Sequence, residues 1–184
     1  MEYVDAIRDI GKINSIKKLL KEQSIRDYLL FVMGINSGLK ISEILNLKIN
    51  DMMDDHGKVK KFLELDTKVE IPIYINPKVK QALSLYVSSV SPEQDDFLFK
   101  SSKTNQPITR QQAYRIINKA AKSVGLDGKI GTHSMRKTFG YHAYKKGVAI
   151  SLLQKLFHHT TPGETLKYLG IKDEKILTEI DVNL

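Results

Sequence analysis

Helix start signals recur along this 184-residue chain and constrain its fold more than any other feature. Each is a serine, threonine or asparagine just before an apolar stretch with helical spacing, where its side chain can accept a hydrogen bond from the first turn. Two of them have the spacing of a capping box, and two are followed by proline at the first helical position. The sequence therefore predicts a mainly α-helical fold. The predicted caps are Ser24, Asn76, Thr109 and Thr161.

One stretch departs from the helical pattern. Phe62, Leu63 and Leu65 form one short apolar run, and Val69, Ile71 and Ile73 form another, with Asp66-Thr67 between them. Short apolar runs on either side of turn residues are typical of a β-hairpin. The expected fold class is thus α+β, mainly helical with one small antiparallel hairpin. The first ten residues show no clear periodicity, and we expect them to be loose.

The composition restricts the chemistry and favours a polyanionic partner. Lys plus Arg number 29 and Asp plus Glu number 21, a formal net charge of +8. Such an excess suits nucleic acid, since neutralising phosphates releases counterions. The absence of cysteine excludes disulfides, thiolate metal sites and a cysteine nucleophile. No apolar run approaches the ~20 residues that cross a bilayer, and the first residues do not form a signal peptide. We expect a cytoplasmic protein.

Phosphate-binding side chains are concentrated at one predicted helix start in the last third of the chain. His133 and Arg136 are three residues apart and share a helix face, with Lys137 beside them. We expect Thr132 to cap this helix, so that backbone N–H groups and the positive end of the helix dipole face an anion there. The arginine fork can bind two phosphate oxygens. The alternative interpretation is a solvated basic helix face.

A histidine pair and a tyrosine follow at the next two helix ends. His158 and His159 end an apolar helical stripe, and Tyr168 lies in the helix capped by Thr161. Nearby cations would stabilise the phenolate that a tyrosine nucleophile needs. The alternatives are one core and one surface histidine, and a surface tyrosine. A metal site is a poorer interpretation, because adjacent histidines point apart and no carboxylate stands at a familiar ligand spacing.

Three ordered motifs resemble those of the tyrosine recombinase (phage integrase) family. Residues 36–47, N-S-G-L-K-I-S-E-I-L-N-L, resemble its T-G-L-R-x-S-E-L-L-x-L segment. Residues 131–139, G-T-H-S-M-R-K-T-F, are similar to its H-x-L-R-[HK]-T-F segment. Residues 156–168 are similar to its L-G-H…Y segment, with the histidine nine residues before the tyrosine in both. The match covers residues 24–170, and the resemblance is to the family's catalytic domain.

The resemblance implies a site-specific recombinase or integrase acting on double-stranded DNA. Tyr168 would attack the scissile phosphate and form a 3′-phosphotyrosyl link, which is rejoined without cofactor or metal. Arg136 would bind the non-bridging oxygens, and His133 and His159 would donate hydrogen bonds to the phosphate. Residues 1–23 would be a lead-in with the first helix, residues 24–171 the catalytic domain, and residues 172–184 a tail helix that can dock on a neighbour. We expect the protein to be a monomer without DNA and to form a homotetramer on DNA. The expected location is the cytoplasm or nucleoid of a prokaryotic cell.

Two positions depart from the family pattern. Lys40 stands where the family has arginine, so the charge is kept but the bidentate fork is lost. Anchoring the hairpin on residues 71–73, I-P-I, puts Glu64 where the family has its general-acid lysine. Lys68 could serve instead if the hairpin is shorter. The further DNA contacts that we expect are Lys60, Lys61, Arg110 and Lys137.

These departures leave other functions open. A catalytically weakened DNA-binding module would bind DNA with the salt dependence of a polyelectrolyte but form no covalent adduct. A type IB topoisomerase would use similar chemistry to relax supercoils without magnesium or ATP. A metal-dependent nuclease is the least favoured alternative, and resistance to a chelator would exclude it.

Overall fold

The computed structural model describes residues 4–65 and 71–171, and over these ranges the chain is mainly helical with one small sheet. The predicted fold class is therefore confirmed. The expected tail helix, residues 172–184, lies outside the described residues. In the described part no helix has both the length and the apolar character needed to cross a membrane. The helices are α1 (Ile10–Gln23), α2 (Ile25–Ser37), α3 (Ile41–Leu45), α4 (Ile49–Met52), α5 (Pro77–Val90), α6 (Arg110–Ser123), α7 (Thr132–Lys145), α8 (Ile150–Phe157) and α9 (Pro162–Tyr168).

The caps predicted at Ser24, Asn76, Thr109 and Thr161 are confirmed. The Ser24 hydroxyl accepts a hydrogen bond from the backbone of the first turn of α2, and Asn76 does the same for α5. Thr109 and Gln112 form a reciprocal capping box at α6. The Thr161 hydroxyl accepts from the N–H of Glu164 at 3.1 Å. These contacts are local in sequence, which is why the residue pattern alone could locate them. The short helix α4 was not predicted.

Helix α2 is the centre of the molecule. Residues 29–33 are five consecutive residues with 1% exposure or less, so α2 is covered on all sides. It packs against α1, α5 and α7. Gly34 on α2 faces Met135 on α7, and a Cβ there would overlap the methionine sulfur. The two helices can therefore approach closely, and this fixes α7, the helix that bears the predicted phosphate-binding residues.

The predicted hairpin is present but its strands are short. β1 (Phe62–Leu63) pairs antiparallel with β2 (Ile73–Tyr74), with Leu63 opposite Ile73 and Phe62 opposite Tyr74. The first pair is buried, and the second stands exposed on the other face with ring centres 5.8 Å apart. Leu65 and Ile71 flank the strands rather than belonging to them, which corrects the predicted bounds. Residues 66–70, which include Val69, the predicted turn and Lys68, lie outside the described residues.

The segment before α1, residues 4–9, is packed and not loose as the sequence predicted. Ile7 is only 1% exposed and belongs to the cluster formed by α1, α6 and the start of α7. Its N–H donates to the Thr138 hydroxyl at 2.8 Å, and its carbonyl lies 2.9 Å from Nε2 of His142. Both partners are on α7. A single apolar side chain with two backbone hydrogen bonds orders this segment without any periodic pattern.

Candidate active site

The start of α7 differs by one residue from the prediction. Gly131, not Thr132, is the N-cap, and its N–H donates to the Ser134 hydroxyl at 3.1 Å. The Tyr114 ring lies against Gly131 so closely that a Cβ there would be 2.6 Å from a ring carbon. Glycine at this position therefore lets α6 approach the first turn of α7. The exposed imidazole of His133 projects from that turn.

Arg136 connects three segments of the chain. Its Nε donates to the Gly38 carbonyl at 2.8 Å, and Nη2 lies 3.3 Å from the Leu156 carbonyl. The guanidinium also stacks over the Phe157 ring, 4.8 Å from its centre. Burial lowers the pKa of Arg136, and the nearby Tyr168 and Glu43 oppose that shift. Two of the five N–H groups of a guanidinium serve these carbonyls, so the others can bind phosphate oxygens.

Lys137 lies inside the molecule and not on a solvated helix face. Its side chain is only 9% exposed, which is unusual for lysine. The ammonium stands 5.0 Å from the centre of the Tyr168 ring, within the range of a cation–π contact. Burial lowers the pKa of Lys137, and the Asp5 carboxylate opposes this shift. Of the four DNA contacts predicted from sequence, this one therefore lies beside the proposed nucleophile.

The histidine pair separates into two different environments. His158 ends α8 with a φ of 60°, in the left-handed region that glycine adopts most easily and where the family has glycine. This sharp turn leaves His158 exposed and brings His159 back over α9. Nδ1 of His159 lies 3.0 Å from the Thr165 hydroxyl. Burial lowers the pKa of His159, Arg136 and His158 lower it further, and Glu164 opposes the shift.

Tyr168 is the last residue of α9 and is half-buried among these groups. Its ring centre is 5.0 Å from the His159 ring and 5.4 Å from the Phe157 ring. Burial raises the pKa of Tyr168, because the phenolate would lose solvation, and Arg136 opposes that shift. The phenol is therefore neutral at rest, with a guanidinium and an ammonium near the site where negative charge would form.

Two adjoining cavities bring most of the predicted residues together. One, of about 630 Å³, is lined by His133, Lys137, His159 and Tyr168. The other, of about 730 Å³, is lined by Lys40 and Arg110 and again by His133. We call them the tyrosine cavity and the basic cavity. They adjoin at the start of α7, because both are lined by His133, Thr132 and Tyr114, and we refer to the two together as the cleft; Arg136 lines neither of them.

Other predicted residues lie elsewhere. The Lys60 ammonium donates to the Asn50 carbonyl at 2.7 Å, and Lys61 lies 5.6 Å from the Phe62 ring centre. Neither lines the cleft, and Glu64 is exposed just after β1. Lys68 falls in the part of the hairpin that the structure does not describe. Among the described residues no group of three or more histidines and carboxylates could hold a metal ion.

Sequence reasoning missed residues on α6 that line the basic cavity. Gln111, Tyr114 and Arg115 line this cavity together with Arg110 and Lys40. Part of the signal was available, since Tyr114 follows Arg110 by four residues and Arg115 follows Gln111 by four, so the members of each pair are neighbours on the helix surface. What the sequence could not supply is that this face turns toward α7 and not toward free solvent.

The fold and the cleft together define a class, the tyrosine recombinases. The sequence pattern of the phage integrase family matches residues 8–175 of this chain. The chain therefore belongs to the phage integrase family.

The similar proteins agree with that membership. A probable integrase/recombinase of Bacillus subtilis, YoeC, is 41% identical over 175 residues, which covers 95% of this chain and 93% of that protein. The XerA recombinase crystal structure matches with a TM-score of 0.76 at 20% identity, over 94% of this chain and 61% of that one. The Tn1549 transposon integrase in complex with a circular intermediate DNA matches with a TM-score of 0.68 at 21% identity, over 91% of this chain and 62% of that one. This chain spans between 48% and 62% of the length of seven further relatives.

Proposed function

We propose that this chain is a site-specific DNA recombinase whose nucleophile is Tyr168. The phenol oxygen attacks a phosphodiester phosphorus, the bond from phosphorus to the 5′-oxygen breaks, and a 3′-phosphotyrosyl link forms. The phenol proton leaves and the 5′-oxygen takes up a proton. A 5′-hydroxyl from another strand then reverses these steps and restores the phenol. The number of phosphate ester bonds is unchanged, so rejoining needs no external energy source.

The observation that carries the proposal is the position of the Tyr168 ring. It lies 5.0 Å from both the Lys137 ammonium and the centre of the His159 ring, in a cavity that His133 also lines. A tyrosine with a structural role could use the cation–π contact with Lys137 alone and would not require two histidines at the same cavity. A nucleophile benefits from all three groups, because charge passes from its oxygen to the phosphate as the reaction proceeds.

The remaining cations fit the phosphate. Arg136 is held rigidly by two carbonyls and a ring, so its free donors cost no reorganisation when charge develops. His133 stands between the two cavities and can donate to the same phosphate. Removing one such donor typically costs ~10²–10³ in rate. The DNA backbone would continue into the basic cavity, where Lys40, Arg110 and Arg115 can neutralise further phosphates.

The proton donor for the 5′-oxygen and the oligomeric state stay predictions. Lys68 remains our candidate for the donor, because a lysine in the hairpin turn is the only basic residue between Lys61 and the second strand. A homotetramer on duplex DNA remains the expected assembly, with residues 172–184 as its docking segment.

Covalent trapping tests the proposal. A labelled library of randomised duplexes, each carrying a nick that lets the cleaved end diffuse away, is incubated with the protein and denatured in SDS. Wild type should retain labelled DNA, and Tyr168→Phe should retain none while binding the intact library with unchanged affinity. Tyr74→Phe is the matched control, since it removes an exposed hydroxyl on the hairpin, and should behave as wild type. An adduct with Tyr168→Phe, or none with wild type, refutes the assignment.

A second candidate function is supported by two positions. Lys40 lacks the fork of arginine, and Glu64 stands where the family has a general acid. Both changes favour a DNA-binding module with weakened catalysis. The same trapping experiment decides, because such a module binds the library and leaves no SDS-resistant adduct.

A further inference from the structure

The segment before α1 is fixed to α7 at one residue. The Ile7 N–H and carbonyl both bond to α7 side chains, at 2.8 Å to Thr138 and 2.9 Å to His142. The Ile7 side chain is 1% exposed. Because the backbone of residue 7 is held from both sides, the next residue, Arg8, starts from a defined position on the surface of α7.

Arg8 reaches from this anchor to the end of the nucleophile's helix. Its Nη2 donates to the Gly170 carbonyl at 3.0 Å, two residues after Tyr168. The guanidinium also lies 4.9 Å from the centre of the Tyr141 ring on α7. Arg8 therefore joins α7, which bears Arg136, to α9, which bears Tyr168. Its position in the chain, 162 residues from Gly170, makes the contact entirely tertiary.

Helix α9 needs such a contact. It has seven residues, too few to be stable in isolation, since isolated helices below ~12 residues are marginal in water. Its end leaves carbonyls without partners inside the helix, and a cation there also interacts favourably with the helix dipole. The Arg8 guanidinium provides both effects at the end where Tyr168 lies.

The same segment supports Tyr168 from a second side. Val4 lines the tyrosine cavity together with Tyr168 and Lys137. The Asp5 carboxylate interacts electrostatically with Lys137, whose ammonium faces the Tyr168 ring. Residues 4–8 thus contact the surroundings of Tyr168 in three places. These are the wall of the tyrosine cavity, Lys137 beside the Tyr168 ring, and the end of α9.

We propose that Arg8 is a positioning residue for the nucleophile: by holding the Gly170 carbonyl it keeps the end of α9, and with it Tyr168, aligned with the phosphate-binding groups of α7. This rests on the proposed function of Tyr168. Arg8 itself does not touch the reacting atoms. Its loss should slow cleavage and leave DNA binding nearly unchanged.

The test uses three variants in the covalent trapping assay, with protein in excess so that the rate of adduct formation is measured apart from binding. Arg8→Met removes the donors but keeps the apolar stem, and should lower the rate about three- to tenfold, as expected for one exposed charge-assisted hydrogen bond. Arg8→Lys keeps one suitable donor and the charge, and should recover most of the rate. Lys18→Met removes the same charge from the exposed face of α1 and should match wild type.

Hydrogen exchange supplies the readout that a general stability effect would not move. The Leu169 and Ile171 amides, which donate to the Thr165 and Leu166 carbonyls, should exchange faster in Arg8→Met and not in Lys18→Met. Amides of α2 should be unchanged in both. An Arg8→Met protein that cleaves at the wild-type rate, or is slow with normal exchange at 169–171, overturns the proposal. If wild type itself forms no adduct, the function of Tyr168 fails first, which the Tyr168→Phe comparison reveals independently.

Discussion

Lys40 is the residue that departs most clearly from the family pattern, because arginine would bind a phosphate better at this position. It lies exposed at the N-cap of α3 and lines the basic cavity with His133. The Glu43 carboxylate accepts a hydrogen bond at 2.7 Å from the backbone N–H of Lys40, so it caps α3. The ammonium can thus point toward a bound phosphate, but it acts as a point charge and not as a fork.

We therefore expect Lys40→Arg to raise the rate of adduct formation by about tenfold, the effect of one added charge-assisted hydrogen bond. The melting temperature should not change, because the side chain is exposed and the cap uses only the backbone. Rates of adduct formation at saturating protein measure the effect. Lys40→Gln, which removes the charge, should be slower than wild type. If arginine and glutamine reduce the rate alike, lysine is the adapted residue at this position.

His159 makes the stability of the fold depend on pH. Because burial lowers its pKa in the folded protein, the unfolded chain takes up a proton first as pH falls through its ordinary value of about 6.5. The unfolded state then binds more protons than the folded state, so the free energy of unfolding falls as the solution is made more acidic. At pH values well above 6.5 both states are neutral at this residue and the effect vanishes.

His159→Gln should accordingly lose less stability than wild type between pH 7.5 and pH 5.5, values chosen on either side of the ordinary histidine pKa of about 6.5. Urea denaturation at the two pH values measures this. His56→Gln removes an exposed imidazole in the turn after α4 and serves as the control. A His159→Gln protein with the full wild-type loss in acid would mean that other groups cause the pH dependence.

Among the helices, α7, α8 and α9 meet at Gly140, and their contact positions the nucleophile. A Cβ at Gly140 would be 2.5 Å from Leu169 and 2.7 Å from the Phe157 ring. We expect Gly140→Ala to force these side chains apart and to lower the free energy of unfolding by about 1–3 kcal/mol, as overpacking does. Adduct formation should also slow, because Tyr168 precedes Leu169.

Gly163→Ala is the matched control for this change. Gly163 lies in the first turn of α9, and the nearest atom to an added Cβ is the Thr161 hydroxyl at 3.9 Å. Alanine fits there and favours the helix by up to about 1 kcal/mol. Chemical denaturation of both variants compares the two sites. Equal stability of Gly140→Ala and wild type would show that the three helices can separate without cost.

The sequence could predict those features of these elements that depend on contacts between residues close together in the chain. Caps such as Thr109 and Thr161 bond within three residues, so the pattern alone located them. The backbone of Ile7 bonds to Thr138 and His142, which follow it by 131 and 135 positions in the sequence. Nothing near Ile7 in sequence indicated an ordered segment. The sequence predicted the correct helix for Lys137. Its burial could not be predicted, because it depends on contact with Tyr168 of α9, which is distant in sequence.

The whole molecule carries its excess charge unevenly, and this decides how it should bind DNA. Its net charge is +8, while Lys40, Arg110 and Arg115 converge on the basic cavity beside the proposed active site. If phosphates bind in that cleft, the salt dependence of DNA affinity is set by the number of cleft cations that neutralise phosphates. The net charge of the whole protein does not set it. Each neutralised phosphate contributes about 0.9 to the slope of log K against log salt.

Arg110→Gln should therefore weaken binding at all sequences and reduce that slope by about 0.9. Lys78→Gln lowers the net charge equally, but Lys78 lies on α5 beside Lys17 and lines neither cavity, so its slope should equal that of wild type. Fluorescence anisotropy of a labelled duplex across about 50–200 mM salt gives the three slopes. Equal shifts in the two variants would mean that DNA responds to the overall charge of the molecule. A shift in Arg110→Gln alone places the backbone along the cleft that leads to Tyr168.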